Sequence, residues 1–487
     1  MMQHLRGRIV ERFQRFDEHV VSVEGQRAAA SLVVAAALLL IPTFSAWQVA
    51  NAAAEAKAPR VESSAITPPT KEPLFSIRRI AQTAATEARI ANVKSKLATL
   101  AAGLPQDSCL IVRTASRVVA QYRPNRPLVP ASNMKLLVAA GALDALGADY
   151  RFSTVLLGNR VGDVIIGNVW LVGGGDPVLS TRAYPATQVY PTFSPTYLDT
   201  LADEVVALGI TKITGSIVGD ESRYDTERYV PTWGDGIRAI EAGPLGALMV
   251  DDGVLIGDPF KPANPAVGAA TAFTRLLQSR GVTVIAAPRT GSAPANVGEI
   301  SRLTSAPLGT LLGDLLANSD NNVAELLLKE IGLVGRQQPT RVAGLQVVAE
   351  MLTKRNISTE GAVFVDGSGL AEGNRVTCEL LADLLESFGV NGVLATNLAV
   401  AGTTGTLREQ LDTPPAKGRV MAKTGTLRNV KALSGFFPVD DGAMAFALIL
   451  NGSGVSNQTA YQPQWRALMS ALGAFSATPS TKDLLPR

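Results

Sequence analysis

Pro130-Ala131-Ser132-Asn133-Met134-Lys135-Leu136-Leu137 sets a serine and a lysine three residues apart at the head of an apolar run that continues to Leu146 and meets Gly147. The run predicts a helix over Met134 to Leu146, with Gly147 as its stop. Residues i and i+3 share a helix face and lie about 4.5 Å apart along the axis. Ser132 and Lys135 are therefore within reach of one another, and the amine can take the serine proton if burial and a second cation lower its pKa. Alone the pattern is weak, because the chain's own serine and lysine frequencies yield about one such pair by chance. Its plainer reading is a helix start with a lysine stem lying along apolar surface.

An absence gives the pair weight. Histidine occurs twice in 487 residues, at His4 and His19, both upstream of the first long apolar run. If that run directs export, the folded part holds no histidine, which excludes Ser-His-Asp and Cys-His catalysis and histidine-ligated zinc. Acid-base chemistry then falls to lysine, carboxylates, tyrosine or water. Cys109 and Cys378 are the only cysteines, and their spacing fits no metal site. In an exported chain they either pair or stay as buried thiols. Gly173 to Gly175 is followed by neither a Rossmann spacing nor a Walker lysine, so no phosphate cradle is read there.

Length predicts roughly two to three domains, and 46% hydrophobic against 18% charged residues suffices for a substantial core. The net charge of +3 is too small and dispersed for a nucleic-acid surface. Residues 1–27 read as a leader, 28–50 as a signal-peptide core or membrane anchor, and 51–80 as an Ala/Pro-rich linker. Val49-Ala50-Asn51-Ala52 offers a cleavage site, whereas the long, nearly charge-balanced leader suits a retained anchor. Export to the cell envelope is expected either way, with membrane contact through this segment if it is uncleaved.

Downstream, Ile90, Val93, Leu97 and Leu100 recur at helical spacing, and strands follow at Ser108 to Thr114 and Arg117 to Tyr122. From Asp149 to Ala306 glycines, prolines and β-branched runs such as Val164 to Val172 and Ile213 to Val218 predominate, with one helix near Tyr197 to Leu208. Helices resume at Leu308 to Ala317 and Val323 to Ile331. Three antiparallel strands, Val420 to Thr424, Ala432 to Phe437 and Ala443 to Leu450, precede a last helix around Gln464 to Leu472. The pattern predicts an α/β fold of the α+β type. One domain, from residues 81–150 and 305–487, has an antiparallel sheet flanked by helices, and a β-rich insertion at 151–304 interrupts it.

Two further motifs fall in this frame. Ser319-Asp320-Asn321 sits between helices, where such residues are ordinary N-caps. Lys423-Thr424-Gly425 lies on a strand, where a glycine lets a substrate backbone approach closely. Thr404-Gly405-Thr406-Leu407 repeats the later Thr-Gly-Thr-Leu without the preceding lysine, and reads as a decoy.

Serine on a helix, Ser-x-Asn between helices and Lys-Thr-Gly on a late strand resemble the penicillin-recognising serine enzymes. With Gly174-Gly175-Asp176-Pro177, the Asp366-Gly367-Ser368-Gly369-Leu370 loop with Asn374, and Ala422 to Leu427, the chain resembles the class C low-molecular-mass penicillin-binding proteins. These are D-alanyl-D-alanine carboxypeptidases and endopeptidases of serine transpeptidase-like fold, and the likeness runs from about Ala88 to Ala474. The long separation of Lys135 from Ser319 fits that family's insertion.

The resemblance implies that Ser132 attacks the bond between two D-alanines and forms an acyl-enzyme, with Lys135 as base. Ser319 and Lys423 would pass a proton to the leaving amine, the charge of Lys423 keeping Lys135 neutral. It assigns Asn321 to the substrate amide backbone, the N–H groups of Ser132 and Thr426 to the oxyanion hole, and Lys423 and Thr424, beside Gly425, to the terminal carboxylate. Asp235, after Trp233, would meet the free amine on the third residue of the stem peptide. Asp366 and Ser368 would shape a loop rather than react. Stem peptides and beta-lactams are the implied ligands, with neither metal nor organic cofactor. Two readings compete: a beta-lactamase or esterase on the same scaffold, for which no deacylating glutamate loop stands out, and a non-catalytic penicillin-binding wall protein, which needs no activated nucleophile.

Overall fold

Cys109-Leu110-Ile111-Val112 is apolar without interruption because its strand is covered on both faces. The computed structural model describes residues 77–476 apart from 115–116 and 441. The expected leader, apolar segment and most of the linker lie outside the described residues. Six antiparallel strands run in the order Ala399–Val400, Met421–Leu427, Val430–Val439, Gly442–Asn451, Ser108–Thr114, Arg117–Tyr122. Side chains alternate between faces. Cys109 and Ile111 face the helices Met134–Ala145, Leu308–Leu316, Asn321–Arg336, Arg341–Lys354 and Cys378–Phe388. Leu110 and Val112 face the helices Ile77–Ala102 and Gln458–Gly473.

The three late strands stand where the periodicity places them, and the final helix begins at Gln458, six residues earlier than expected. Arg341–Lys354 and Cys378–Phe388 have no counterpart in the sequence reading. Their start signals are Thr340 and Thr377, whose hydroxyls accept from the N–H groups of Ala343 and Leu380.

Cys109 and Cys378 form a disulfide, with Cα atoms 5.9 Å apart and a sequence separation of 269, tying the sheet to the first residue of the Cys378–Phe388 helix. Arg113, further along the same strand, pairs with Glu379 and Asp383 of that helix. Replacing both cysteines with alanine is expected to lower unfolding free energy by about 2–5 kcal/mol, because an uncrosslinked unfolded chain gains freedom. Urea unfolding of the variant and of reduced wild type checks this.

A second, mixed sheet spans the middle of the chain. Its path is Arg289–Thr290, Ile217–Asp220, Val164–Val172, Ser153–Val161, Glu299–Thr304, with Lys212–Ile213 and Thr283–Val284 beside it. The run from Ile213 to Val218 is thus two short strands. Two helices, Leu198–Ala207 and Pro265–Ser279, pack on this sheet where the sequence predicts one. The second begins at Asn264, whose side chain accepts from the N–H groups of Ala266 and Val267, with Pro265 at the first helical position. A smaller core joins this region to the rest through Val230, Trp233, Leu245 and Met249 packed with Leu326, Leu370 and Ala371.

Candidate active site

Ser132 lies in a 3-10 turn, Ala131–Asn133, that leads directly into the Met134–Ala145 helix. Two glycines clamp this turn. A Cβ on Gly369 would fall 1.9 Å from the Ala131 carbonyl oxygen, and one on Gly425 would fall 2.7 Å from the Pro130 oxygen and 2.8 Å from Asn133 Nδ2. Gly425 therefore admits the serine turn itself against the Lys423 strand. The sequence reading gave that space to substrate.

Lys135 is fully buried, and its Nζ contacts three oxygens: Ser132 Oγ at 3.0 Å, Asn321 Oδ1 at 2.7 Å and the Ser368 carbonyl at 2.6 Å. A carbonyl or amide oxygen only accepts, so two N–H bonds are committed to Asn321 and Ser368. In the neutral amine the remaining position is the lone pair, and it faces the Ser132 hydroxyl. Asn321 is held in this orientation because its Nδ2 donates to the Glu241 carbonyl at 2.9 Å. Burial lowers the Lys135 ammonium to about 8, against the opposing pull of Asp366, Asp320, Glu325 and Glu241.

The Ser-Asp-Asn junction divides its work by residue. Ser319 takes a left-handed backbone, φ 67°, and its Oγ accepts from Lys423 Nζ at 2.7 Å. Asp320 caps the Asn321–Arg336 helix by accepting from the Val323 N–H at 3.0 Å, so the capping role holds. Asn322 accepts from the Gly243 N–H at 2.7 Å and donates to Asp252 at 2.9 Å, docking the insertion next to the motif.

Lys423 is also fully buried. Burial first, and the Lys135 charge second, hold it well below the usual lysine range. Only Lys135 is supported by surrounding carboxylates.

The Asp366–Leu370 loop is locked from several sides. Asp366 accepts from the Gly369 and Ala371 N–H groups, from Asn374 Nδ2 at 2.7 Å, and from the Trp233 indole N–H at 2.8 Å. Glu325 Oε1 accepts from the Gly367 and Ser368 N–H groups at 3.0 and 2.7 Å, and burial pushes its carboxyl up to about 7. The loop thus aims the Ser368 carbonyl at Lys135, in keeping with a shaping role. Thr404-Gly405-Thr406-Leu407 forms a 3-10 turn rather than a strand, as befits a decoy of the Lys-Thr-Gly motif, and Thr406 Oγ1 lies 2.8 Å from Thr424 Oγ1. Glu325, Glu241 and Asn322 carry no motif that could have singled them out. Asp235 is exposed, two residues past buried Trp233, and forms no hydrogen bond or ion pair among the described residues. The structure thus gathers Ser132, Lys135, Ser319, Asn321 and Lys423, with Thr424 to Thr426 on the adjoining strand, and leaves Asp235 without a protein partner.

A model of the D-Ala-D-Ala carboxypeptidase 3 (S13) family matches residues 90–259 and 259–472. A D-alanyl-D-alanine carboxypeptidase from an Actinomadura species is 31% identical over 411 residues, covering 67% of this chain and 73% of its own length. A carboxypeptidase of Mycobacterium tuberculosis is 30% identical, covering 81% and 87%. Among solved structures, penicillin binding protein 4 from Haemophilus influenzae superposes with a TM-score of 0.67 at 22% identity, covering 77% of this chain and 99% of that one, a likeness of fold. The match across both halves of the described region makes the chain a member of the D-Ala-D-Ala carboxypeptidase 3 (S13) family.

Proposed function

We propose that this serine D-Ala-D-Ala carboxypeptidase acts on peptidoglycan stem peptides through an acyl-enzyme on Ser132, and that beta-lactams trap it there. The placement of Lys135 Nζ 3.0 Å from Ser132 Oγ, with its other contacts on Asn321 Oδ1 and the Ser368 carbonyl, carries this reading. Lys135 takes the hydroxyl proton as Ser132 Oγ adds to the carbonyl carbon. The backbone N–H groups of Ser132 and Thr426 receive the oxyanion. The C–N bond then breaks, and the proton reaches the leaving amine through Ser319 and Lys423. Water releases the acyl group. Asn321 holds the substrate amide, and Thr424 with Lys423 holds the terminal carboxylate.

A peptide ending in D-Ala-D-Ala and a labelled penicillin, each incubated with the enzyme, test the proposal. D-alanine release and a stable adduct mapped to Ser132 support it. Rapid penicillin turnover would indicate a beta-lactamase, and absence of any adduct a binding protein. Acylation should rise about tenfold per pH unit below about 8, because the base must first lose its proton. Stopped-flow acylation across pH checks the slope.

Asp235 is assigned to the free amine of the third stem-peptide residue. Asp235→Asn is expected to raise KM about tenfold for a peptide carrying that amine and to leave its N-acetylated form unchanged, as steady-state kinetics on the pair would show. Export is part of the same proposal. The Cys109–Cys378 disulfide supports an oxidising compartment, and the uncharged segment at 28–50 would deliver or anchor the enzyme at the envelope.

A further inference from the structure

Lys431 lies directly across the sheet from Thr426 and is only 9% exposed. Its Nζ donates to Thr426 Oγ1 at 2.9 Å and stands 4.0 Å from the Tyr461 ring centre and 5.1 Å from that of Trp465. Among the described residues no carboxylate pairs with it. Lysine is rarely buried without one, so the site is built around a cation that the fold leaves unneutralised. The aromatic faces replace part of its lost hydration. Burial lowers it only to about 8, so the cation predominates at neutral pH.

The hydrogen-bond direction follows from valence. An ammonium has donors only, so Thr426 Oγ1 must accept from Lys431, and its own O–H is free to donate elsewhere. Thr426 is exposed, and its side chain shares a strand face with that of Thr424 two residues earlier. That strand face therefore offers two hydroxyls, one of them backed by a buried cation.

We propose that Lys431 is a positioning residue that makes the Thr426 hydroxyl an obligate donor to the substrate's terminal carboxylate, and so sets the preference for a free acid over an amide at that end. The inference rests on the proposed function, whose carboxylate site on Lys423 and Thr424 it extends to the Thr426 hydroxyl. Lys431 itself touches no reacting atom.

The test compares wild type, Lys431→Met, Thr426→Val and the double variant on an acylated peptide ending in D-Ala-D-Ala and on its C-terminal amide. Lys431→Met should raise KM about tenfold for the acid with kcat held, and leave the amide within about twofold, a loss typical of a charge-assisted hydrogen bond. The double variant should be no worse than Thr426→Val alone. An equal fall on both substrates, a fall in kcat alone, or additive effects would overturn the proposal. If Lys431→Met does not fold, Thr426→Val against Thr426→Ser gives the same acid-to-amide comparison, and unequal ratios support the donor role while equal ratios refute it. If wild type releases no D-alanine, the proposed function fails separately. Acylation by penicillin and by its methyl ester then reads Lys431 directly, with a selective loss on the acid supporting the role and an equal loss refuting it.

Discussion

Lys135→Met should slow acylation of Ser132 by about 10²–10⁴-fold, the range for removing a general base, while the enzyme remains folded. Methionine keeps an unbranched stem of similar length in a fully buried channel but offers neither a lone pair nor a donor. Lys135→Arg gives the sharper comparison. A guanidinium would keep the charge and could still donate to Asn321 Oδ1 and the Ser368 carbonyl, yet it has no accessible lone pair near neutral pH. An arginine variant as slow as the methionine variant shows that Lys135 works as a base. Substantial activity with arginine would show that positive charge alone suffices. Burst-phase kinetics with a chromogenic penicillin measures both, with near-ultraviolet circular dichroism confirming the fold.

Ser132→Ala is expected to fall at least as far, about 10⁴–10⁶-fold in D-alanine release, and to yield no penicillin adduct. The loss should be confined to chemistry. Ser132 is half-buried in a turn clamped by Gly369 and Gly425, and removing one hydroxyl leaves that packing intact. Peptide affinity, measured by calorimetry on the inert variant, should stay within about fivefold of the wild-type substrate affinity, because the carboxylate and amide contacts remain. The Ser132→Ala, Lys135→Met double variant should be no slower than Ser132→Ala. A base has nothing to deprotonate once its acid is gone.

The parts of this site that were legible in the sequence are those where chemistry dictates both residue type and local setting. Ser132 and Lys135 are readable because one helical turn joins them, and Lys423 because a strand must carry it past the serine. The strands were visible wherever burial imposed a pattern, as in Ala443 to Leu450. What escaped is tertiary. The Glu325 carboxylate matters because two N–H groups of a loop more than forty residues later converge on it, and no local pattern encodes that. Trp233 stands out in the sequence only as a neighbour of Asp235, although its indole bond to Asp366 ties the insertion to the Asp366–Leu370 loop. The contact between Thr406 and Thr424 is likewise set by the fold, since the repeat that contains Thr406 lacks the lysine of the motif. Asp366, Asp320 and Glu325 likewise gather around Lys135 only in the folded chain.

The pairing of Ser108–Thr114 with Gly442–Asn451 also imposes an order on the protein's synthesis. Ser108 meets Leu450 and Thr114 meets Met444, so the sheet cannot close until the last of its strands has been made. Through that sheet Lys423 is brought to Ser319 and Gly425 to the Ser132 turn. A nascent chain that already contains Ser132 and Lys135 therefore lacks the wall against which they are held, and closing so long a loop is slow. Its serine is an ordinary hydroxyl. Reactivity toward beta-lactams is acquired late and all at once, and an interrupted or truncated chain is silent rather than a misdirected hydrolase.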